Sequence, residues 1–462
     1  MSDLDDVLAR SMPPAILYPA TALFILVQLY VFWRIRHRVA NFVVFAAWFR
    51  YMASAYHAIT YKPAFLGMSW NALGSVAVFG LGLLLIRHRN LRLKFLVPCY
   101  VLIAIVAISG LVNGNYSGII NVTVKFGYFI VVTLGVFEAM ERFGPRRFMA
   151  MLLWAFVPPL VLQALSVIFG ISKGTEAGVS YIGGYNHEAA FSVTLATCFL
   201  VACFANGLNR HLRNGLLLIC LVGIYLANYR TTIAAIAPLV VAQFTLGLTS
   251  RFVPNQRALV GIAMLVLSVI GVIAASWYLR ERFLDVVVVV ESGGMIKPPE
   301  DFTYQEARLM SGRPYLWSQY IYAYLDSGRY LLGFGPESWS GTMPTYAHNT
   351  LISYLYEYGA LGVIALAYFW ASMVVAAWRV RQGSRVKLLA AHLSFILLSM
   401  STMPLWMIEG NILYGIICGF TLHLMRRRPV YAGKLAFREP TEHMRSAELV
   451  VPYRRSAGTV QR

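Results

Sequence analysis

Two short stretches of the sequence join a histidine to an asparagine, and each stands directly before a long apolar segment. In "GGYNHEAA" the pair is Asn186 and His187, and in "YAHNT" it is His348 and Asn349. An imidazole has no use at the mouth of a lipid-facing helix, but near neutral pH it can take a proton from a hydroxyl group. We therefore treat His348 as a candidate general base, whereas for the isolated His57 a structural role is favoured.

Two arginines stand in positions where a charge is costly. Arg230, in "ANYRTTIAA", joins two apolar segments with almost no loop, and an ionisable residue at such a place indicates a functional site. Arg313, in "SGRPYLW", precedes a segment with helical spacing, and its guanidinium group could bind a phosphate through two parallel hydrogen bonds. The alternatives are snorkelling of Arg230 to lipid phosphates, and helix capping or an ion pair with Glu306 or Asp326 for Arg313.

Several catalytic motifs are missing from the sequence. It contains no Walker-type glycine loop, no HExxH and no DxD-like acidic pair in its loops. A nucleotide-driven pump and a metal hydrolase are therefore disfavoured, and we expect neither a metal nor a cofactor. A glycosyltransferase that uses a lipid-linked donor needs only cations for the pyrophosphate and a base near the acceptor hydroxyl.

The composition is that of a polytopic membrane protein. Of 462 residues, 58% are hydrophobic and 13% are charged, and the mean hydropathy is +0.63. The formal net charge of +19 does not indicate a nucleic-acid partner, because the basic residues occur as short clusters between apolar segments. The fold class is therefore predicted to be all-α, with about 12–13 transmembrane helices in a lipid bilayer.

Thirteen segments have about the 20 apolar residues that a membrane-spanning helix needs. They are 15–33, 41–60, 70–86, 95–113, 118–139, 149–171, 189–207, 215–229, 231–249, 259–279, 350–377, 388–406 and 411–425. The basic clusters between them all fall on one side, which the positive-inside rule makes the cytoplasm. The C-terminus is then predicted to be inside and the N-terminus outside.

The opposite side carries one large loop, at about 280–349, which is predicted to be partly helical. In "SGRPYLWSQYIYAYLDSG", Ser311 is predicted to cap a helix with Pro314 in its first turn, and Trp317, Tyr320 and Tyr324 repeat at helical spacing. This helix would lie on the membrane or cover the core. The segment 285–294, "DVVVVVESGG", is either a short strand or a helix end.

The chain divides into two predicted parts. Residues 1–428 would form the transmembrane glycosyltransferase-like domain, with the large loop inserted. Residues 429–462 are polar and basic and lack periodicity, so they are predicted to be a disordered cytoplasmic tail.

The second half of the chain resembles the bacterial O-antigen ligases and the related O-antigen and exopolysaccharide polymerases. Their signature is His, then Asn, Ser or Gln, nine residues, Gly, two residues, and Gly, Thr or Tyr. Here it is matched completely by His348, Asn349, Gly359 and Gly362. "SGRPYLWSQYIYAYLDSGRYLLGFGPESW" is similar to the family's Gly-Arg, Leu-Trp and Gly-x-Gly stretch, and "YRTTIAAI" to its Ser-Arg-Thr segment.

This resemblance implies a mechanism at the periplasmic face of the bacterial inner membrane. The donor would be a glycan on undecaprenyl pyrophosphate, whose pyrophosphate Arg230 and Arg313 would hold. His348 would deprotonate the acceptor hydroxyl, and attack would invert the anomeric carbon without a metal. A flippase and a chain-length regulator are further partners that the resemblance suggests.

The same resemblance assigns supporting roles to other residues. Substrate binding would fall to residues of the loop and of the two His-Asn stretches, namely Asn349, Arg308, Trp317, Tyr320, Asn186 and His187. For the loop aromatics, plain packing is an equally good interpretation. Gly359 and Gly362 would let the helix after His348 approach a neighbour closely, and Gly333 and Gly335 would shape a turn.

Three functions remain open from the sequence. A polymerase that joins lipid-linked repeat units is favoured, and a ligase that transfers a finished glycan to lipid A-core is the alternative within the class. A transporter, in which Arg50, Lys125 and Arg230 would be coupling sites, is a more distant possibility because no internal repeat is present.

Overall fold

The structure is a computed structural model that describes residues 11–65, 67–175, 178–249, 252–253, 255–256, 259–263, 266, 294–380 and 382–426. The described residues up to Met425 belong to one compact unit. The predicted tail at 429–462 and the segment 285–293 lie outside the described residues. Residue 294 is described and belongs to no strand or helix.

The chain is built almost entirely from helices. In chain order they are α1 (Pro14–Ile35), α2 (Arg38–Ala55), α3 (His57–Thr60), α4 (Trp70–Leu85), α5 (Val97–Val112), α6 (Tyr116–Phe143), α7 (Pro145–Leu152), α8 (Val157–Ile168), α9 (Glu188–Phe204), α10 (Arg210–Leu226), α11 (Arg230–Thr249), α12 (Arg313–Asp326), α13 (Thr350–Trp378), α14 (Gln382–Ser399) and α15 (Ile408–Arg426). Short 3-10 helices cover His88–Arg92, Lys94–Leu96, Leu153–Phe156, Pro299–Asp301, Glu306–Gly312 and Pro404–Trp406.

The prediction of an all-α polytopic membrane protein is confirmed. Helices occupy twelve of the thirteen predicted segments, and most of the remaining one, 259–279, lies outside the described residues. Among the described residues, six helical stretches are long and apolar enough to cross a membrane. They are Pro14–Ile35, Lys94–Val112, Tyr116–Phe143, Pro145–Ile168, Thr350–Trp378 and Ile408–Arg426. The total of 12–13 spans stays a prediction.

Three helices end where local sequence interrupts the apolar pattern. The segment predicted at 41–60 breaks after Ala55. The segment at 149–171 passes through a 3-10 turn, Leu153–Phe156, before Pro158 and Pro159 restart an α-helix. The segment at 388–406 stops at Ser399, and Pro404 then begins a 3-10 turn. Proline lacks a backbone donor, which is why helices restart at it more readily than they continue through it.

Side-chain caps fix the beginnings of several helices. Ser69, Asn115 and Asn209 each accept a hydrogen bond from a backbone N–H in the first turn of the following helix. Such caps satisfy donors that have no partner within the helix. They place the loops at defined ends of the bundle.

The core is centred on α6, in which every residue from Phe126 to Met140 is buried. The ring of Tyr414 in α15 stacks on Phe395, with the ring centroids 4.0 Å apart, and also packs against Phe129 of α6. A Cβ added at Gly419 would lie 2.5 Å from the carbonyl oxygen of Thr133. The small residue therefore permits close contact between α15 and α6, as is common in membrane helix packing.

Two small hairpins are the regular strands of the described residues. Strand β1 (Pro63–Phe65) pairs antiparallel with β2 (Met68–Ser69), and β3 (Lys173–Thr175) pairs antiparallel with β4 (Gly178–Ser180). The second hairpin precedes the "GGYNHEAA" stretch and so helps to place the start of α9.

The described part of the large loop packs on the helices at one end of the bundle, which we call the loop end. Helix α12 lies against the first turns of α13 through a small cluster that includes Leu316, Tyr320, Tyr324 and Tyr356. The prediction that the loop is partly helical is met by α12 and by the two 3-10 turns that precede it. Helix α12 therefore covers the N-terminal end of α13.

Candidate active site

His348 lies two residues before α13, at the loop end. Its backbone has a φ of +51°, in the left-handed region that residues other than glycine seldom adopt. The side chain is half-buried, and its Nδ1 atom is buried with no hydrogen-bond partner among the described residues. Strained backbone at an unsatisfied histidine is typical of a functional position.

Asn349 is the N-cap of α13. Its side-chain oxygen accepts hydrogen bonds from the backbone N–H groups of Leu351, at 2.9 Å, and Ile352, at 3.3 Å. The side-chain oxygen therefore serves the helix, and the predicted role of Asn349 in substrate binding stays a prediction. This cap fixes the start of α13 and, with it, the backbone of His348.

The segment of chain before His348 is held in place by hydrogen bonds from side chains of α12. The indole N–H of Trp317 donates to the carbonyl oxygen of Ala347 at 2.8 Å, and the hydroxyl of Tyr320 donates to that of Thr345 at 2.7 Å. The residue Tyr320 is 1% exposed, so its burial argues against the expected stacking on a sugar. Both aromatics instead hold the segment that presents His348.

Arg313 is the first residue of α12 and is half-buried. The expectation that Ser311 caps this helix is wrong, because the N-cap is Gly312, without a side-chain hydrogen bond. The carboxylate of Glu306, a suggested partner for Arg313, is held by Lys297 at 2.9 Å. The guanidinium group of Arg313 has no hydrogen bond or ion pair in the part of the chain that the structure describes.

The electrostatics of the site keep His348 neutral. Burial and, to a smaller extent, the electrostatic effects of Arg313 and His187 together lower the pKa of His348 to about 4. At neutral pH the ring of His348 carries a free lone pair, which is the state that a general base requires.

The second His-Asn stretch meets the first through Tyr346. The hydroxyl of Tyr346 lies 3.3 Å from Nε2 of His187, and its ring packs on that of His348, with the centroids 4.0 Å apart. Sequence reasoning missed Tyr346, although an aromatic residue two positions before the histidine was a visible signal. The structure thus brings together His187 and His348, which are 161 positions apart in the sequence.

The surroundings of His187 are charged. Lys173, from the β3–β4 hairpin, lies 3.1 Å from a carboxylate oxygen of Glu188 and donates to the backbone carbonyl of Asn186 at 3.0 Å. Burial lowers the pKa of His187, and the Glu188 carboxylate opposes that shift. The hairpin therefore fixes Asn186 through its backbone, and His187 caps α9 by accepting a hydrogen bond from Ala189.

Three of the four glycines of the predicted motifs, Gly333, Gly335 and Gly359, form one interlock. Helix α13 breaks at Gly359, with φ of +63° and ψ of −162°, and the backbone of residues 330–335 packs into the break. The N–H groups of Phe334 and Gly335 donate to the carbonyls of Tyr356 and Glu357, at 3.0 and 2.8 Å.

This contact excludes side chains from both partners. A Cβ on Gly359 would lie 2.5 Å from the backbone of Leu331, and one on Gly333 would lie 2.4 Å from the carbonyl oxygen of Tyr356. Gly335 has a φ of +97°, and a Cβ on Gly362 would meet that of Tyr358 at 2.3 Å. Gly333, Gly335 and Gly359 thus dock the loop on α13, the helix that follows His348.

Two predicted site residues are not placed at His348. Arg308 is exposed and donates to the hydroxyl of Tyr304 at 3.0 Å. The backbone of Arg230 begins α11, but its side chain lies outside what the structure describes. The role of Arg230 therefore stays a prediction.

The other embedded cations are paired. Arg50 contacts both carboxylate oxygens of Glu409, at 2.8 and 3.1 Å. Lys125 lies 3.0 Å from the carboxylate of Glu337 in the large loop and 4.3 Å from the ring centre of Trp406. These pairings account for their burial without any substrate.

The fold and this site together define a class, namely a polytopic α-helical membrane protein with a neutral histidine and an arginine at one end of its helices. Residues 215–367 match the family model described as O-antigen ligase. This part of the chain is therefore similar to the O-antigen ligase and polymerase superfamily, a family whose substrates are lipid-linked glycans in a lipid bilayer. No curated protein matches the chain. The match supports a glycosyltransferase-type activity, which is the activity that this family implies.

Proposed function

We propose that the protein is a polymerase that joins undecaprenyl-pyrophosphate-linked oligosaccharide repeat units into O-antigen or exopolysaccharide. The observation that carries this proposal is a half-buried, neutral His348 within electrostatic reach of Arg313, whose guanidinium group has no ion pair or hydrogen bond among the described residues. A base for the acceptor and a cation for the leaving group are the two elements that this reaction needs.

The proposed reaction is a single inverting displacement. The acceptor hydroxyl gives its proton to Nε2 of His348, because Nδ1 is the buried nitrogen. The acceptor oxygen forms a bond to the anomeric carbon as the bond to the pyrophosphate breaks, and that electron pair leaves on the phosphate oxygen. Arg313, together with Arg230, binds the pyrophosphate and stabilises its growing charge.

Donor binding would also activate the base. The positive charge of Arg313 contributes to the low pKa of His348. A bound pyrophosphate would offset that charge and let the pKa of His348 rise toward its ordinary value of about 6.5. His348 would then become a stronger base only when the donor is in place.

The loop end is proposed to face the periplasm from the bacterial inner membrane, with the C-terminus in the cytoplasm. The clustering of basic residues on the opposite side of the predicted spans supports this orientation. The donor would then be reached from the outer leaflet, after a flippase has delivered it, and a chain-length regulator would be a further partner.

A ligase that transfers the finished glycan to lipid A-core is the second candidate, and the description of the matching family model favours it. The resemblance of the Ser311-Gly312-Arg313 block to the exopolysaccharide polymerases favours the first. A transporter has less support, because Arg50 and Lys125 both have carboxylate partners.

The test is a reconstituted assay with an undecaprenyl-pyrophosphate oligosaccharide, EDTA and, in a parallel reaction, lipid A-core. A ladder of lengthening glycan supports the polymerase, and a single transfer to lipid A-core supports the ligase. His348→Gln should lower the rate by about 10²- to 10⁴-fold, whereas His211→Gln, at an exposed histidine outside the site, should not. Equal rates for wild type and His348→Gln would overturn the assignment of His348.

A further inference from the structure

We propose that Tyr346 is a positioning residue, which orients the imidazole of His348 by its ring and is itself held by Trp406 and His187. The inference rests on the proposed function of His348 as the base. It concerns a residue that belongs to none of the motifs described above.

The first observation is what His348 lacks. A histidine that acts as a base is usually oriented by a hydrogen bond from its second nitrogen to a carboxylate or a carbonyl group. The Nδ1 atom of His348 is buried and has no such partner among the described residues. Something other than a hydrogen bond must therefore set the rotation of this ring.

The second observation is the aromatic packing that takes this place. The rings of Tyr346 and His348 have centroids 4.0 Å apart and are tilted by 39°. Trp406 stacks on Tyr346, at 5.7 Å and 22°, and Trp339 packs edge-on against both Tyr346 and Trp406. The imidazole thus rests on a three-ring support.

The third observation is that the support is fixed at its far ends. The Tyr346 hydroxyl meets Nε2 of His187 at 3.3 Å, and His187 belongs to the helix start that Lys173 and Glu188 stabilise. The Nζ atom of Lys125 lies 4.3 Å from the ring centre of Trp406 and forms an ion pair with Glu337. A cation over an indole ring attracts it, and the attraction grows when water is excluded.

The support also suits the charge that the reaction creates. When His348 takes a proton, its ring becomes a cation that lies against the ring of Tyr346. Aromatic faces stabilise such cations, and they do so more strongly where water is excluded. No carboxylate among the described residues forms a hydrogen bond with His348. The Tyr346 ring is therefore the group placed to stabilise the charge of the protonated imidazole.

The experiment compares kcat and KM for Tyr346→Phe, Tyr346→Trp and Tyr346→Leu in the reconstituted assay. Loss of the ring in Tyr346→Leu should lower kcat on the order of 10²-fold with little change in KM, because a misplaced catalytic group costs about that much. Tyr346→Phe keeps the ring and loses only one hydrogen bond, so kcat should fall about threefold. Tyr346→Trp should recover much of the activity that the leucine variant loses.

A separate measurement distinguishes positioning from general damage. Nuclear magnetic resonance of protein with labelled histidine should show the His348 ring protons shifted by the Tyr346 ring in wild type and Tyr346→Phe, and not in Tyr346→Leu. Tyr116→Leu, at a tyrosine 63% exposed and outside the site, is the matched control for folding and activity.

The outcomes separate the two proposals. If His348→Gln is inactive while Tyr346→Leu keeps wild-type kcat, the positioning role is wrong and the base assignment stands. If His348→Gln is fully active, the proposed function fails first. A leucine variant whose KM rises while kcat is unchanged would also overturn the inference, because Tyr346 would then be binding substrate.

Discussion

Two polar clusters of this protein differ in how completely their charges are satisfied. Within the helical bundle, the guanidinium group of Arg50 contacts both oxygens of Glu409, and it also donates to Asn71. Ser54 donates to the same carboxylate at 2.8 Å. At the loop end, Arg313 has no ion pair among the described residues. The Nδ1 atom of His348 likewise has no hydrogen bond among them.

The difference follows from the cost of burying charge. An isolated ion taken into an apolar interior loses several kcal/mol of hydration, so an embedded cation persists only with a partner. A half-buried cation near solvent keeps part of its hydration, so it can lack a protein partner until an anionic ligand binds. The complete cluster therefore holds helices together, and the incomplete one is the place where we propose that an anionic substrate binds.

The largest expected effect comes from breaking the complete cluster. Glu409→Gln leaves the Arg50 guanidinium group buried without its counter-charge, and should lower the free energy of unfolding by about 3–5 kcal/mol. Chemical denaturation in detergent measures this change. Replacing both partners, as in Arg50→Met with Glu409→Leu, should recover much of the loss because no charge is left unpaired. A Glu409→Gln protein as stable as wild type would show that the pair is not needed.

Removal of the unpaired cation should affect rate rather than stability. Arg313→Gln should lower kcat/KM by about 10²- to 10³-fold, the usual cost of losing one donor to a developing negative charge. Arg313→Lys should retain more activity than Arg313→Gln but less than wild type, since lysine cannot donate bidentately. Arg146→Gln, at an exposed arginine, is the control that should change neither quantity.

The same variant gives a pH test with a defined sign. The base acts in its unprotonated form, so kcat/KM of wild type should fall as the pH drops through about 4, the pKa to which burial and then Arg313 lower His348. Arg313→Gln removes one of these causes, so the pKa of His348 rises and the acid limb should move to higher pH. An acid limb that stays in place would separate Arg313 from His348.

The sequence predicted more of the helices than of the contacts between them. The positions of His348 and Arg313 at helix starts follow from hydropathy and helix signals that are local in the chain. The partner of Arg50 is 359 residues away, and no local pattern indicates it. The break at Gly359 arises because a distant loop backbone needs the space, so a continuous helix was the natural expectation from an apolar segment.

Some of the missing detail was available in the sequence. Asn349 directly precedes an apolar helix, which is the ordinary position of an N-cap, yet its place in the motif led to the expectation of a role at the sugar or the base. Likewise, Tyr320 lies on the helix face that repeats with Leu316 and Tyr324, which is the face that became buried. Packing accounts for that repeat without any ligand.

The interlock between the loop and α13 should be weaker than the embedded ion pair but still measurable. Gly359→Ala forces a side chain into a conformation that is nearly confined to glycine, which costs about 1–3 kcal/mol, and sets a Cβ against the backbone of Leu331. We expect lower thermal stability, with easier proteolysis of the large loop. Gly80→Ala is the matched control, since a Cβ at Gly80 meets nothing within 4 Å, and alanine there should be neutral or slightly stabilising.

The smallest expected effect tests whether Asn349 serves the site through its helix. Asn349→Ala removes the cap of α13 and should cost about 1 kcal/mol of stability, measured by denaturation. Asn349→Ser and Asn349→Asp keep a capping oxygen and should restore most of it. If Asn349 acts only as a helix cap, activity should follow stability across the three variants. The reason is that the side chain at position 349 would then affect His348 only by fixing the His348 backbone. If Asn349→Ser is as stable as wild type but inactive, the amide must contact substrate directly. Asn349 would then be a substrate-binding residue, as is proposed for Arg313.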